Sequence, residues 1–127
     1  MAGIRPGNDG AAVERIGGGA PPILTDEGWL SLWHGVEPNG GVGIYRTYWS
    51  ILDRNNPSQV VRRGRRALLD YQPELTDALA AQRFLTDIVF TTGIADGGDH
   101  YVVASGEADL ACRMTHVPKA VFANKSY

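Results

Sequence analysis

The sequence has 127 residues, a formal net charge of −2 with a pI near 5.8, and one cysteine. A chain of this length makes one domain at most, its mixed charges exclude a nucleic-acid or anionic-membrane footprint, and a lone thiol excludes an internal disulfide and any cysteine-based metal centre, which fits a reducing compartment and a cytoplasmic location. No apolar run approaches the roughly 18 residues of a membrane span, while 16 glycines and 7 prolines point to many tight turns and hence to β structure.

Residues 1–19, ending in Gly17-Gly18-Gly19, predict a flexible Gly-rich lead. The glycines do not make a phosphate loop, because no Lys-Ser/Thr pair follows them. From Ala20 onward, short apolar runs alternate with turn residues. Pro22 to Thr25 predicts a strand, Asp26-Glu27-Gly28 a turn, and Trp29 to Val36 a second strand. Glu37 to Gly41 forms a longer loop, Ile44 to Leu52 a third strand, Asp53 to Pro57 a turn, and Gln59 to Arg62 a fourth strand, which together make a meander. The run Arg62, Arg63, Arg65 and Arg66 has no interleaved aromatic platform and reads as a solvated strand end. Residues 73–83, with Pro73 and Glu74 suited to a first turn and apolar Leu75, Ala78 and Leu79, predict a short helix or helical turn. Strand character returns from Phe84 to Ile94, turns at Asp96-Gly97-Gly98-Asp99, and continues at His100 to Ser105 and Leu110 to Val117.

Placing residue 20 over residue 91 aligns Ile23 with Ile94, Leu30 with Tyr101, Leu32 with Val103 and Gly35 with Gly106, without a gap. The chain is therefore expected to be all-β, built from two antiparallel four-stranded meanders at residues 20–72 and 73–127, in the manner of propeller blades. A meander dries its faces only against neighbours. Two blades cannot close a ring, so either further blades or self-association is expected. A small two-sheet sandwich is the alternative.

The stretch Gly18 to Val36, with its Pro21-Pro22-Ile23 opening, its Asp26-Glu27-Gly28-Trp29-Leu30 turn and its Trp33-His34-Gly35-Val36 strand end, closely resembles a block of glycoside hydrolase family 130. In the same order, Tyr45-Arg46, Leu52-Asp53-Arg54-Asn55-Asn56-Pro57-Ser58-Gln59-Val60, Asp87 to Gly93 and Gly106-Glu107-Ala108-Asp109 resemble later family motifs, the last of them a Gly-Ala-Ala-Asp corner.

The resemblance implies a five-bladed β-propeller of which this chain carries the last two blades, acting on β-mannosides by inverting phosphorolysis or hydrolysis. It places the proton-donating acid and the phosphate-holding arginines in earlier blades, so the chain holds no catalytic residue and is incomplete as an enzyme. It assigns His34 and Tyr45 to phosphate and Asp109 to the sugar. The implied partners are a β-mannoside and phosphate, with no other cofactor. A non-catalytic carbohydrate-binding or self-associating module is the competing reading. Each residue also has a plainer one. His34 can be a structural histidine, Tyr45 a packing residue, and Asp109 a turn stabiliser.

Trp29 and Trp33 share a strand face and suit inter-blade packing or sugar stacking. His100 and His116 have no partner at metal-ligand spacing, and Cys112 reads as an inert strand residue. The sequence departs from the family in the bulky Thr47-Tyr48-Trp49-Ser50 and in Asp87 and Thr91, and Arg113 is near enough to Asp109 in the chain for a salt bridge to compete for its carboxylate.

Overall fold

The computed structural model describes residue 13 and residues 15–123. Two antiparallel sheets account for it. The first holds β1 (Arg15–Gly18), β2 (Ile23–Leu24), β3 (Trp29–Glu37), β4 (Ile44–Leu52) and β5 (Val60–Arg63) in the order β1-β3-β4-β5, with β2 beside β3. The second holds β6 (Val89–Asp96), β7 (His100–Glu107) and β8 (Ala111–Pro118) as a plain meander, followed by a one-turn helix α1 (Ala120–Ala123). The chain is all-β with meandering antiparallel sheets. Its sheets carry five and three strands among the described residues, where the repeat pattern predicts four and four.

The difference begins in the Gly-rich lead. Residues 1–12 lie outside the described residues, but Arg15–Gly18 pairs with β3 from Arg15 opposite Val36 to Gly18 opposite Trp33, so this part of the predicted flexible lead is an ordered strand. Sequence pattern missed it because a four-residue strand holding two glycines has almost no apolar periodicity. The free edge of β3 supplies what the strand lacks. β1 and β2 together run along that edge, as β6 does along β7.

The residues that the repeat aligned meet in space. Leu30 and Leu32 of β3 and Tyr101 and Val103 of β7 lie in one buried cluster between the sheets, with Trp49, Ile51, Val89, Val117 and Phe122. Each strand sends alternate side chains inward, so a period of two places 30 and 32, or 101 and 103, on the same buried face. A smaller cluster covers the other face of the first sheet. There Trp33 stacks on its register partner Tyr48, ring centroids 4.9 Å apart, beneath Val13, Ile16, Val60 and Ala67. Trp33 donates from Nε1 to Ser50 Oγ at 3.0 Å. It packs inside the chain and cannot stack on a sugar.

The short helix or helical turn expected at 73–83 takes the second form, as two single 3-10 turns, Pro73–Leu75 and Asp77–Leu79. Leu75 and Leu79 stay 39% and 37% exposed, so the segment buries no apolar face. Thr76, fully buried, shares a 2.6 Å hydrogen bond with Tyr71 and pins the chain between the turns. A helix this short has too few bonds to repay nucleation without docking. Similarly, the strand predicted from Phe84 starts only at Val89, because Asp87 sits at φ 57, in the left-handed region that breaks an extended run.

The arginine run is partly absorbed by the fold. Arg62 lies over the Trp49 ring at 5.2 Å, donates to both Glu27 oxygens at 2.9 and 2.8 Å, and also donates to the Phe122 carbonyl. Charged residues on β5 also discourage pairing of that edge with another sheet.

Candidate functional site

The core between the sheets changes character along its length. From Leu30, Leu32, Trp49 and Ile51 it passes, one step toward the β3–β4 loop, to the hydroxyls of Thr47 and Thr91, which share a buried 2.6 Å hydrogen bond across the sheets. His34 stands level with Thr47 as its register partner, and Tyr45 one step further along β4. Period-two alternation on β3 and β4 carries the same face from hydrocarbon to polar groups.

His34 stands between two aromatic rings. Its centroid is 5.4 Å from Tyr45 of β4 and 4.8 Å from Phe90 of β6. The first contact joins the two residues that the family resemblance pairs. The second was not anticipated, because the sequence gives Phe90 only as an alternating strand residue. Phe90 is 39% exposed, so the cluster reaches the surface. Burial lowers the His34 pKa below its ordinary value, with the Gly18 backbone offsetting part of the effect. Near neutral pH the imidazole is uncharged and offers one N–H. Its Nδ1 is buried and unpaired among the described residues.

Two glycines frame the ring. A Cβ on Gly17 would fall on the imidazole, with Nε2 its nearest atom, so β1 approaches His34 only because residue 17 has no side chain. Gly35 makes room for the Tyr48 ring, since a Cβ there would lie 2.8 Å from Tyr48 Cε2. Gly17→Ala is expected to push the His34 ring outward, raise its pKa toward 6.5, and cost about 1–3 kcal/mol of stability through overpacking. Histidine Cε1–H titration by NMR, with urea denaturation, measures both; an unmoved pKa would show that the ring does not need the gap.

Asp109 lies in the turn between β7 and β8. Ala108 and Asp109 both have left-handed backbones, φ 50 and 57, a conformation that costs about 1–2 kcal/mol per non-glycine residue. The Ala108 N–H donates to the Ile88 carbonyl at 2.9 Å, and Ile88 in turn bridges in parallel to Tyr45, whose N–H donates to Asp87 at 2.9 Å. This short backbone ladder brings the Asp109 turn to the same end of the sheets as Tyr45 and His34. The Asp109 side chain is exposed and its carboxylate has no partner among the described residues. Arg113 does not compete for it. The guanidinium turns to Glu107, Nε to Oε1 at 2.9 Å but out of line for a hydrogen bond, and donates from NH2 to the Asp70 carbonyl at 3.1 Å.

Beside Tyr45 is a recess of about 210 Å³ lined by Ile44, Arg46, Asp70, Tyr71 and Asp87. Arg46 is held there by Glu37 and by Asp70, the latter at 2.6 Å. Glu37, Asp70 and Asp87 set three carboxylates against one guanidinium. The recess alone therefore disfavours an anion, and phosphate at this end of the sheets is held only weakly without cations from elsewhere.

The remaining histidines are apart from this site. His100 and His116 stack on one another with centroids 4.7 Å apart, and His100 Nδ1 is 2.7 Å from Asp99. Trp29 donates to the Arg54 carbonyl at 3.2 Å.

Comparison with known proteins gives consistent matches. The family model described as beta-1,4-mannooligosaccharide phosphorylase, of glycoside hydrolase family 130, matches residues 6–123. The chain is 34% identical over 108 residues to a beta-1,2-mannobiose phosphorylase from Thermoanaerobacter sp. (strain X514), covering 85% of this chain and 32% of that protein. It is 34% identical over 115 residues to a beta-1,2-mannobiose phosphorylase from Listeria innocua, covering 87% of this chain and 29% of that one. The solved structure of beta-1,2-mannobiose phosphorylase from Listeria innocua, in complex with beta-1,2-mannobiose, superposes with a TM-score of 0.71 at 28% identity, covering 91% of this chain and 31% of that structure. The chain thus spans about a third of the length of the relatives it matches.

Proposed function

Because the chain belongs to glycoside hydrolase family 130, the family of the beta-1,4-mannooligosaccharide phosphorylases, we propose that it supplies part of a β-mannoside phosphorylase site in a cytoplasmic protein. The observation that carries this reading is the His34–Tyr45–Phe90 cluster, with the Asp109 turn tied to it through Ile88.

In this reading a phosphate oxygen attacks the anomeric carbon as the glycosidic C–O bond breaks, and an acid elsewhere in the fold protonates the departing oxygen. His34 gives one N–H and Tyr45 its phenolic O–H to phosphate oxygens. Asp109 accepts hydrogen bonds from sugar hydroxyls. The charge balance of the Arg46 recess supports a division of labour in which other blades bring the arginines. The outer face of the second sheet, where Phe90 and Met114 are 39% and 65% exposed, is where a further blade would pack.

The chain itself offers the test. Phosphate titration followed at the His34 and Tyr45 ring signals is expected to give weak, millimolar binding that raises the His34 pKa, since an anion favours the imidazolium. His34→Ala should weaken phosphate binding at least tenfold, Tyr45→Phe less, and Asp109→Ala should weaken mannose binding instead. Shifts confined to the stacked His100–His116 pair would remove the assignment.

A pH effect accompanies it. With its folded pKa depressed, His34 takes up a proton in the unfolded chain first. Its contribution to stability is intact above the unfolded value near 6.5 and is lost as pH falls from there through the folded pKa. His34→Gln is expected to flatten that acid limb in urea denaturation between pH 5 and 7.5.

A further inference from the structure

Within the sugar-site reading of Asp109, we propose that Glu107 is a positioning residue that holds the left-handed Asp109 turn in its ligand-ready shape through a buried anchor to the segment at 70–72 and to Arg113. The corner resembled by Gly106-Glu107-Ala108-Asp109 has alanine where this chain has Glu107. A carboxylate at such a place has to be accommodated. Glu107 is fully buried, 0% exposed, and its Oε2 accepts the Gln72 N–H at 3.2 Å. Its Oε1 faces Arg113 Nε at 2.9 Å, and the Arg113 side chain is itself only 9% exposed. Arg113 reaches past Glu107 to the Asp70 carbonyl at 3.1 Å. The pair therefore ties β7 and β8 to the segment joining the two sheets.

The turn depends on that tie. The Glu107 carbonyl accepts the Leu110 N–H at 2.9 Å, closing the turn, and the next residue, Ala108, is buried with its N–H on Ile88. Ala108 and Asp109 then run through two successive left-handed backbones. Nothing holds the Asp109 carboxylate among the described residues, so its direction is set by this backbone alone. A residue anchored on both sides at 107 fixes where the turn begins. Strained backbone persists only where its surroundings over-determine it.

Amide hydrogen exchange on the intact chain tests the proposal, comparing wild type with Glu107→Gln and Glu107→Ala. Ala108 and Leu110 are expected to exchange at least tenfold faster in both variants, while Val103 in the middle of β7 keeps its rate. Mannose binding should weaken in parallel, approaching that of Asp109→Ala. Unchanged rates at Ala108 and Leu110 overturn the proposal. So does an equal rise at Val103 in both variants, which would mark Glu107 as a general stabiliser, and so does full mannose affinity with a loosened turn. A wild-type chain that ignores mannose would sink the sugar reading of Asp109, and the exchange rates then decide by themselves whether Glu107 holds the turn.

Discussion

Trp49→Ala is expected to destabilise the chain by about 3–5 kcal/mol, the range for removing a buried indole from a packed core. Trp49 is 1% exposed and belongs to the cluster that joins the two sheets. Phe122 meets it edge-on with centroids 5.2 Å apart, and Arg62 covers its ring. The substitution removes a T-shaped aromatic pair, a cation–π contact and the largest volume in the cluster together. Against a total of about 5–15 kcal/mol for a typical domain, a loss of this size leaves a substantial unfolded population. Urea denaturation should show a midpoint lowered by more than about 1 M, given slopes of about 1–3 kcal/mol/M. A loss below about 1.5 kcal/mol would mean that the sheets are joined elsewhere.

Arg113→Ala is expected to cost a similar amount, about 3–5 kcal/mol at neutral pH, because it leaves the Glu107 carboxylate buried without its counter-charge. Burial raises the Glu107 pKa above the usual carboxylate range even with the Gln72 amide and Arg113 pulling it back. The folded chain therefore holds the Glu107 proton more tightly than the unfolded chain does. Its contribution is most favourable below the unfolded carboxylate pKa and is lost as pH rises through the folded one. Removing Arg113 widens that window, so the variant should regain stability as pH falls from 7 toward 5, where wild type changes less. The double change Glu107→Leu with Arg113→Met should be close to neutral, since well-packed apolar side chains replace a buried pair at little net loss. Should Arg113→Ala prove harmless at pH 7, the pair is solvated in solution and carries no stability.

The two predictions bear on different parts of the molecule that the sequence exposed unequally. Trp49 stands in the strand expected from Ile44 to Leu52, where the sequence marks it only as a bulky departure from the family, and residues 47–51 are buried on both faces of the sheet. Glu107 was read only as part of the corner that resembles Gly-Ala-Ala-Asp, and no local pattern names Arg113, six residues on, or the Gln72 amide as its partners. Phe90 was likewise hidden. Its neighbour His34 is 56 positions away in the chain, and only the packing of β6 against β3 and β4 brings the rings together.

What the sequence determined by itself is the alternation of short apolar strands with acidic-Gly turns, the doubling of that unit, and the family to which its motifs belong. Those are local properties, set by side-chain period and turn chemistry within a few residues. Tertiary structure decided which edges pair and which side chains meet. It turned part of a Gly-rich lead into the strand that covers His34, kept the segment at 73–83 to two helical turns because no apolar face was there to dock a longer helix, and directed Arg113 away from Asp109 toward Glu107. Each outcome depends on a surface that another part of the chain provides, and a linear pattern carries no record of that surface.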